Sequence, residues 1–205
     1  MAKKKPIAFI MRHGDTVLND DNAFRGMLDP PLNDDGIVDA HKAGEFLKSQ
    51  DIECIICSPL LRAVQTAEIV AAALGGRHIT QCRELLPWQI APLYGKDKDE
   101  FAEELDDYID HPNKKPENGE SLNSFVSRVD KYFHKQLQSK VPTLYVAHTS
   151  DIVALNDLIN GEGNGRPESG EVVAPGGICE IREDDEDGYC IEPVFGATTD
   201  AEFGS

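Results

Sequence analysis

Apolar runs of strand length alternate along the chain with stretches in which apolar residues recur at helical spacing. Residues 7–11 are apolar throughout, which is typical of a strand buried on both faces of a sheet. Residues 52–57 and 143–147 form two further, mainly apolar runs. Short buried strands separated by amphipathic helices predict an α/β fold with a mainly parallel central sheet.

The intervals between these runs predict the helices. Residues 35–50 carry an apolar face at helical spacing. Ser58 and Pro59 are typical of a helix start, with Ser58 as N-cap and Pro59 in the first turn of a helix that reaches about residue 74. Further helices are expected over residues 99–109, 121–137 and 152–159, a loop over residues 161–170, and a hairpin between residues 178–181 and 189–194.

No internal repeat or linker divides the chain. We therefore expect a single three-layer α/β/α domain over residues 1–205, with a core of about residues 7–195.

The negative net charge of the chain limits which classes of partner we expect. The 205 residues carry a formal net charge of −17 at pH 7, which argues against nucleic acid or an anionic membrane as the main partner. No apolar run approaches the roughly 20 residues of a membrane helix, and residues 1–6 are not followed by a signal-peptide core. Five cysteines, an odd number, indicate free thiols in a reducing compartment, so we expect a cytoplasmic protein.

Basic and imidazole side chains follow the three predicted strands. The first strand ends in Arg12 and His13. The third ends in His148, and the second leads into a helix that carries Arg62. Each residue alone has an ordinary structural or surface interpretation. However, the carboxyl ends of parallel strands share one edge of a sheet with the following helix N-termini, where anions are favoured. We therefore expect the four side chains to converge there.

These residue types suit phosphoryl transfer. A neutral imidazole is a competent nucleophile near neutral pH and can carry a phosphoryl group. Arginine forks match the equatorial oxygens of a phosphate, so positioning and charge stabilisation are available without a metal or cofactor. A metal site built from His13 and His148 is the weakest alternative, because no carboxylate or cysteine is clearly placed beside them.

Motifs in a fixed order run along most of the chain. Residues 12–16 read Arg-His-Gly-Asp-Thr and are followed by Asn19, matching the pattern R-H-G-x-T-x-x-N. Residues 57–68 read CSPLLRAVQTAE, and further blocks lie at residues 24–36, 118–128, 147–148 and 175–178. Over about residues 7–182 this series resembles the histidine phosphatase superfamily, the phosphoglycerate mutase-like enzymes.

The resemblance implies a phosphoglycerate mutase-like fold and assigns roles to the strand-end residues. It implies that His13 is phosphorylated, while Arg12, Arg62 and His148 hold the phosphoryl group. It also implies that Asn19 contacts that group, although a turn residue explains Asn19 nearly as well.

Other residues join the predicted set on weaker grounds. Thr149 stands where the family often has glycine, which alters a backbone contact to the bound group. Glu120 either orients the site or belongs only to the turn before a helix. We also place Asp15, the neighbour of the Gly14 that follows His13, among the residues that bind phosphate or substrate.

The general acid is the open question. Many family members carry the pattern E-x-x-x-G-x-x-x-G, but anchoring it on Gly95 places Pro87 at the glutamate position. Glu84 lies three residues earlier and is our first candidate, with Asp15 as the second. The third alternative is no dedicated acid, which would favour substrates with good leaving groups.

The leading hypothesis is therefore a metal-independent phosphatase acting on a small phosphorylated substrate, either as a monomer or as a homodimer. A mutase is the closest alternative, because it uses the same phosphohistidine, although the chain is short for the cofactor-dependent mutases. A catalytically silent module that binds a phosphorylated ligand is an alternative of a different class.

Overall fold

Six strands form one sheet in the computed structural model, which describes residues 4–161, 172–184 and 188–198. In chain order they are β1 Ala8–Arg12, β2 Cys54–Cys57, β3 Ile79–Gln81, β4 Thr143–Ala147, β5 Val172–Glu183 and β6 Tyr189–Thr198. The order across the sheet is β3-β2-β4-β1-β5-β6. The first four strands in that order run parallel, whereas β5 is antiparallel to both β1 and β6.

Helices cover both faces of the sheet, and this confirms the predicted α/β/α architecture. They are α1 Val17–Asp20, α2 Asp34–Leu47, α3 Leu61–Ala73, α4 Ala102–Asp110, α5 Leu122–Leu137 and α6 Thr149–Asn160. Two 3-10 turns, Arg83–Leu85 and Ala91–Leu93, precede α4. Helices α2 and α3 pack together on one face, and α5 and α6 on the other.

Side-chain alternation along the central strands explains why their sequence is apolar throughout. In β1, Phe9 and Met11 face the core beneath α2 and α3, whereas Ala8 and Ile10 face the core beneath α5 and α6. All five residues of β1 are buried, as are all five of β4. Strands buried on both faces cannot alternate apolar and polar residues, so the prediction from residues 7–11 and 143–147 is confirmed.

Side-chain caps move several helix boundaries from their predicted positions. The Asn33 side chain accepts a hydrogen bond from the Gly36 backbone at 2.7 Å, so α2 begins at Asp34. That helix ends at Leu47, before the predicted residue 50. The helix predicted from residue 99 begins at Ala102, because the Asp97 carboxylate holds the preceding backbone in a turn.

The predicted N-cap role of Ser58 is wrong. Helix α3 begins at Leu61, and the side chain of Asp29 accepts the hydrogen bond of its backbone N–H at 2.6 Å. The Ser58 hydroxyl instead lies 2.8 Å from Nε2 of His148. A distant loop therefore supplies the cap acceptor, and Ser58 faces a histidine.

The remaining differences between the predicted and the observed elements concern short elements and the ends of α6 and of the hairpin strands. Strand β3 and helix α1 were not predicted; they contain only three and four residues. Helix α6 begins at Thr149, three residues before the predicted start. The two hairpin strands are longer than predicted, and all but the first residue of the predicted loop 161–170 lies outside the described residues. Within the described ranges, no helix combines the length and the apolar character needed to cross a membrane.

Candidate active site

Three parallel strands end at one place and bring the predicted histidines together. The backbone N–H of His13 donates to the carbonyl of Ala147 at 3.1 Å, which fixes the end of β1 beside the end of β4. The imidazole rings of His13 and His148 lie 5.2 Å apart between centroids. Both side chains have no solvent exposure. The expected convergence at the carboxyl edge of the sheet is therefore observed.

Hydrogen bonds fix the tautomer of His13. Its Nδ1 lies 2.7 Å from the carbonyl oxygen of Gly14, which can only accept, so Nδ1 carries the proton. Its Nε2 lies 3.1 Å from Nε of Arg62, which can only donate, so Nε2 presents a lone pair. The Gly14 N–H is held in turn by Thr66 Oγ1 at 3.0 Å. The arrangement produces a neutral imidazole whose nucleophilic nitrogen points at a guanidinium.

Arg62 connects the two histidines to the loop over residues 26–28. Its Nη1 donates to the carbonyl of Leu28 at 2.7 Å, and its Nη2 donates to that of Gly26 at 2.9 Å. Gly26 has a φ of +47°, and a Cβ there would lie 1.9 Å from the ring of Tyr94. Only glycine allows the backbone this close to Tyr94, so the loop can present its carbonyls to Arg62.

The second histidine is oriented by Arg62 and Ser58. Nη2 of Arg62 lies 3.3 Å from Nδ1 of His148, and the guanidinium can only donate. Neutral His148 therefore carries its proton on Nε2, which donates to the Ser58 hydroxyl at 2.8 Å. The Ser58 hydroxyl, which the sequence predicted as a helix cap, therefore orients the His148 ring instead.

The surroundings keep both imidazoles neutral. Burial lowers the pKa of His13 well below its usual value, and the positive charge of Arg62 lowers it further. Burial and Arg62 lower the pKa of His148 in the same direction. Burial also lowers the pKa of Arg62 to about 10, so its guanidinium remains charged at neutral pH. The site therefore combines a neutral nucleophile with fixed positive charge.

Two further arginines add to the positive field. Arg12 is buried, and its Nη1 donates to the carbonyl of Val173 at 3.3 Å. Arg25 is completely buried in the loop before Gly26. The charges of both arginines lower the pKa of His13 and of His148. Sequence reasoning found Arg12 but gave Arg25 no role, because a lone arginine in a loop carries no signal of burial.

The structure places the predicted phosphate-binding residues in three different settings. Oδ1 of Asn19 accepts from both the backbone and the hydroxyl of Thr16, so this oxygen belongs to the start of α1. Asp15 is half-buried, and one carboxylate oxygen accepts from the side-chain amide of Asn33 at 3.3 Å. Thr149 is completely buried and begins α6 directly after His148.

Neither predicted glutamate, Glu84 nor Glu120, makes a described contact with the two histidines or with the arginines beside them. Glu84 is exposed, and its carboxylate accepts from the thiol of Cys82 at 3.0 Å. That hydrogen bond lowers the pKa of Glu84, which is the wrong direction for a proton donor. Glu120 forms an ion pair with Arg128 at 2.5 Å, while its carbonyl accepts from the indole N–H of Trp88. Glu84 thus finds no geometric support as general acid, and Glu120 has a structural partner.

An apolar pocket adjoins the loop that holds Arg62. Its rim includes Gly26, whose carbonyl binds Arg62, and Ser150, which follows His148 by two residues. Aromatic and aliphatic side chains form the rest of the wall, and the complete lining is Phe24, Gly26, Pro87, Trp88, Ile90, Leu93, Tyr94 and Ser150. Trp88 therefore both lines a pocket and stacks on Phe125 in the core. Among the described residues, no three His, Cys, Asp or Glu side chains are grouped as a metal site would require.

Comparisons with known proteins agree with this geometry. The sequence pattern of the histidine phosphatase superfamily (branch 1) matches residues 8–192. The chain is 32% identical over 159 residues to a 2,3-bisphosphoglycerate-dependent phosphoglycerate mutase of Methylocella silvestris, covering 71% of this chain and 77% of that protein.

Solved structures show the same fold. A mycobacterial glucosyl-3-phosphoglycerate phosphatase superposes with a TM-score of 0.77 at 20% identity, covering 96% of this chain and 100% of that one. The α-ribazole phosphatase of Shigella flexneri gives 0.74 at 22% identity, covering 92% and 95%. With the family pattern spanning nearly the whole described core, the chain belongs to the histidine phosphatase superfamily, branch 1.

Proposed function

We propose that this protein is a phosphatase that hydrolyses a small phosphorylated substrate through a phosphohistidine at His13. The observation that carries the proposal is the lone pair of His13 Nε2, which points at the guanidinium of Arg62 from a neutral, fully buried ring. In the first step Nε2 forms a bond to phosphorus as the bond to the leaving oxygen breaks. Water then forms a bond to phosphorus as the N–P bond breaks, which releases inorganic phosphate and restores neutral His13.

Fixed positive charge supports the transfer. Arg12, Arg25 and Arg62 surround His13 closely enough to lower its pKa, and their charges stabilise the equatorial oxygens of a transferring phosphoryl group. In the structure, Nε of Arg62 occupies the position next to Nε2 at 3.1 Å. A bound phosphoryl group would take over that donor, which places phosphorus in line with the lone pair.

A phosphoglycerate mutase is the second candidate, and the named mutase relatives favour it. A mutase returns the phosphoryl group to a phosphoglycerate, whereas a phosphatase releases it to water. The two are separated by incubating the protein with 3-phosphoglycerate and 2,3-bisphosphoglycerate while following both isomerisation and free phosphate. Isomerisation faster than phosphate release would establish the mutase.

The direct test uses an activated aryl phosphate. We expect hydrolysis that vanadate inhibits and that a metal chelator leaves unchanged. The His13→Ala variant should lose this activity, because it removes the Nε2 lone pair that attacks phosphorus in the proposed reaction. His41→Ala is the matched control, since His41 is exposed on α2. Full activity in His13→Ala, or a silent wild-type protein that only binds phosphate, would overturn the proposal.

A further inference from the structure

Asp151 is a buried carboxyl group in the first turn of α6, three residues after His148. Its side chain is completely buried, and neither carboxyl oxygen makes a hydrogen bond to a described residue. The backbone N–H groups of His148 and of Asp151 lie close enough to act on its pKa, yet neither completes a hydrogen bond of ordinary geometry. Leaving a polar group unpaired in the interior is costly, so this position calls for a functional explanation.

Charged groups on three elements surround this carboxyl group. Arg62 on α3 is close enough for Asp151 to raise its pKa. Arg128 on α5 and Glu120 before that helix also act on the pKa of Asp151. Arg128 is already ion-paired with Glu120 at 2.5 Å, and Arg62 donates to two loop carbonyls. Asp151 therefore shares its surroundings with the phosphoryl-binding arginine and with an ion pair that is already formed.

The sequence neighbours of Asp151 point to the same place. His148 lies one helical turn earlier and faces His13, while Ser150 lines the apolar pocket beside the loop that binds Arg62. The Ser150 hydroxyl accepts from the backbone of Trp88 at 3.2 Å, which ties this turn of α6 to the pocket wall. The first turn of α6 thus adjoins both the nucleophile and the loop that binds Arg62.

We propose that Asp151 is the general acid that protonates the leaving oxygen. The assignment rests on the proposed phosphoryl transfer to His13. As the bond between phosphorus and the leaving oxygen breaks, the proton of the Asp151 carboxyl group passes to that oxygen, and the product departs as an alcohol. In the second step the resulting carboxylate takes a proton from the attacking water, whose oxygen bonds to phosphorus as the N–P bond breaks. The carboxyl group and neutral His13 are then both restored.

The protonation state agrees with this role. Burial raises the pKa of Asp151 well above its usual value, and the charges of Arg128 and the nearby N–H groups offset this only in part. A raised pKa keeps the proton on the carboxyl group to higher pH than in an exposed aspartate, the direction that a proton donor requires. Glu84 differs in both respects, because it is exposed and its pKa is lowered.

The test compares Asp151→Asn with the wild-type protein on a poor and a good leaving group. With a simple alkyl phosphate, kcat/KM should fall by about 10² to 10⁴, the usual contribution of general acid catalysis. With p-nitrophenyl phosphate the fall should be no more than about tenfold, because that leaving group needs little protonation. Asp157→Asn is the matched control, a second buried aspartate on α6. It should leave the ratio of the two substrates unchanged.

A stability measurement separates a chemical role from misfolding. The native pKa of Asp151 is raised, so above the unfolded pKa of about 3.9 the native state binds more protons than the unfolded state. The wild-type protein thus loses stability through this group as pH rises towards the native pKa. Asp151→Asn removes that loss, and its melting temperature at neutral pH should equal or exceed that of the wild type.

Each outcome decides the assignment. A selective loss on the alkyl phosphate, with the fold intact, supports Asp151 as the acid. An equal loss on both substrates, or no loss on either, overturns it. Phosphohistidine formed by Asp151→Asn from p-nitrophenyl phosphate would show that the proposed function stands whichever way the acid assignment falls. A wild-type protein that hydrolyses neither substrate overturns the proposed function and the acid assignment together.

Discussion

The two sides of the site differ in how their polar atoms are paired. On the side that receives phosphate, hydrogen bonds of 2.7 to 3.3 Å occupy both ring nitrogens of His13 and His148. On the side proposed to donate a proton, both carboxyl oxygens of Asp151 are buried without a hydrogen bond to any described residue. The first arrangement fixes orientation and tautomer, whereas the second leaves a protonated group available for transfer.

The difference indicates that phosphoryl transfer needs a fixed orientation of the nucleophile and a fixed protonation state of the acid. A nucleophile must keep its attacking atom aligned with phosphorus, so several hydrogen bonds fix the orientation of its ring. An acid must keep its proton until the leaving oxygen develops charge, and burial does this without a fixed hydrogen-bond partner. Substitutions on the receiving side should therefore affect every substrate, whereas those on the donating side should depend on the leaving group.

After His13→Ala, the largest effect on the receiving side is expected for Arg62→Ala. It removes the donor to His13 Nε2 and the bonds to two loop carbonyls, so kcat on an aryl phosphate should fall about 10²- to 10³-fold. Because the charge of Arg62 lowers the pKa of His13, the same variant should lose activity at a higher pH during acidification than the wild type does. Arg77→Ala, at an exposed arginine, is the control. A kcat within twofold of wild type would remove Arg62 from the mechanism.

Ser58→Ala should give an intermediate effect. It deletes the hydroxyl that accepts from His148 at 2.8 Å, a contribution of about 0.5–1.5 kcal/mol, or roughly two- to tenfold in kcat. The loss should be the same for good and poor leaving groups, and the control Ser139→Ala, on an exposed hydroxyl, should show none. A loss above a hundredfold would instead mean that Ser58 itself touches the substrate.

Glu84→Gln should give the smallest effect. The Glu84 carboxylate is exposed and bonded to Cys82, so we expect kcat/KM within twofold of wild type for alkyl and aryl phosphates alike. Measured together with Asp151→Asn, this variant shows which of the two carboxyl groups, Glu84 or Asp151, donates the proton. A selective loss on alkyl phosphates would restore Glu84 as the proton donor.

The receiving side could be predicted because its signals are local. An apolar run buried on both faces identifies β1 and β4, and the residues after each strand end must lie at the carboxyl edge of the sheet. His13 and His148 follow from this rule alone. Ser58 was placed at the same edge but given the wrong role, because its competing partner, His148, is 90 residues away.

The donating side could not be predicted from the sequence, because what distinguishes Asp151 is its burial in the folded protein. An aspartate in the first turn of a helix is an ordinary favourable residue, so Asp151 looks unremarkable in the sequence. Only tertiary packing shows that it is buried without a hydrogen bond. Motif spacing favours Glu84 as the acid, but the 3-10 turn at Arg83–Leu85 carries that side chain to the surface. The three-residue strand β3 is mostly exposed at the sheet edge, so its sequence carries no apolar run.

Rapid alkaline quenching followed by peptide mass spectrometry detects a phosphohistidine at His13 itself. During turnover of an aryl phosphate, we expect one phosphoryl group on the peptide that contains His13 and none in His13→Ala. Phosphate on any other residue, or none on the wild-type protein at times shorter than one turnover, would overturn His13 as the nucleophile.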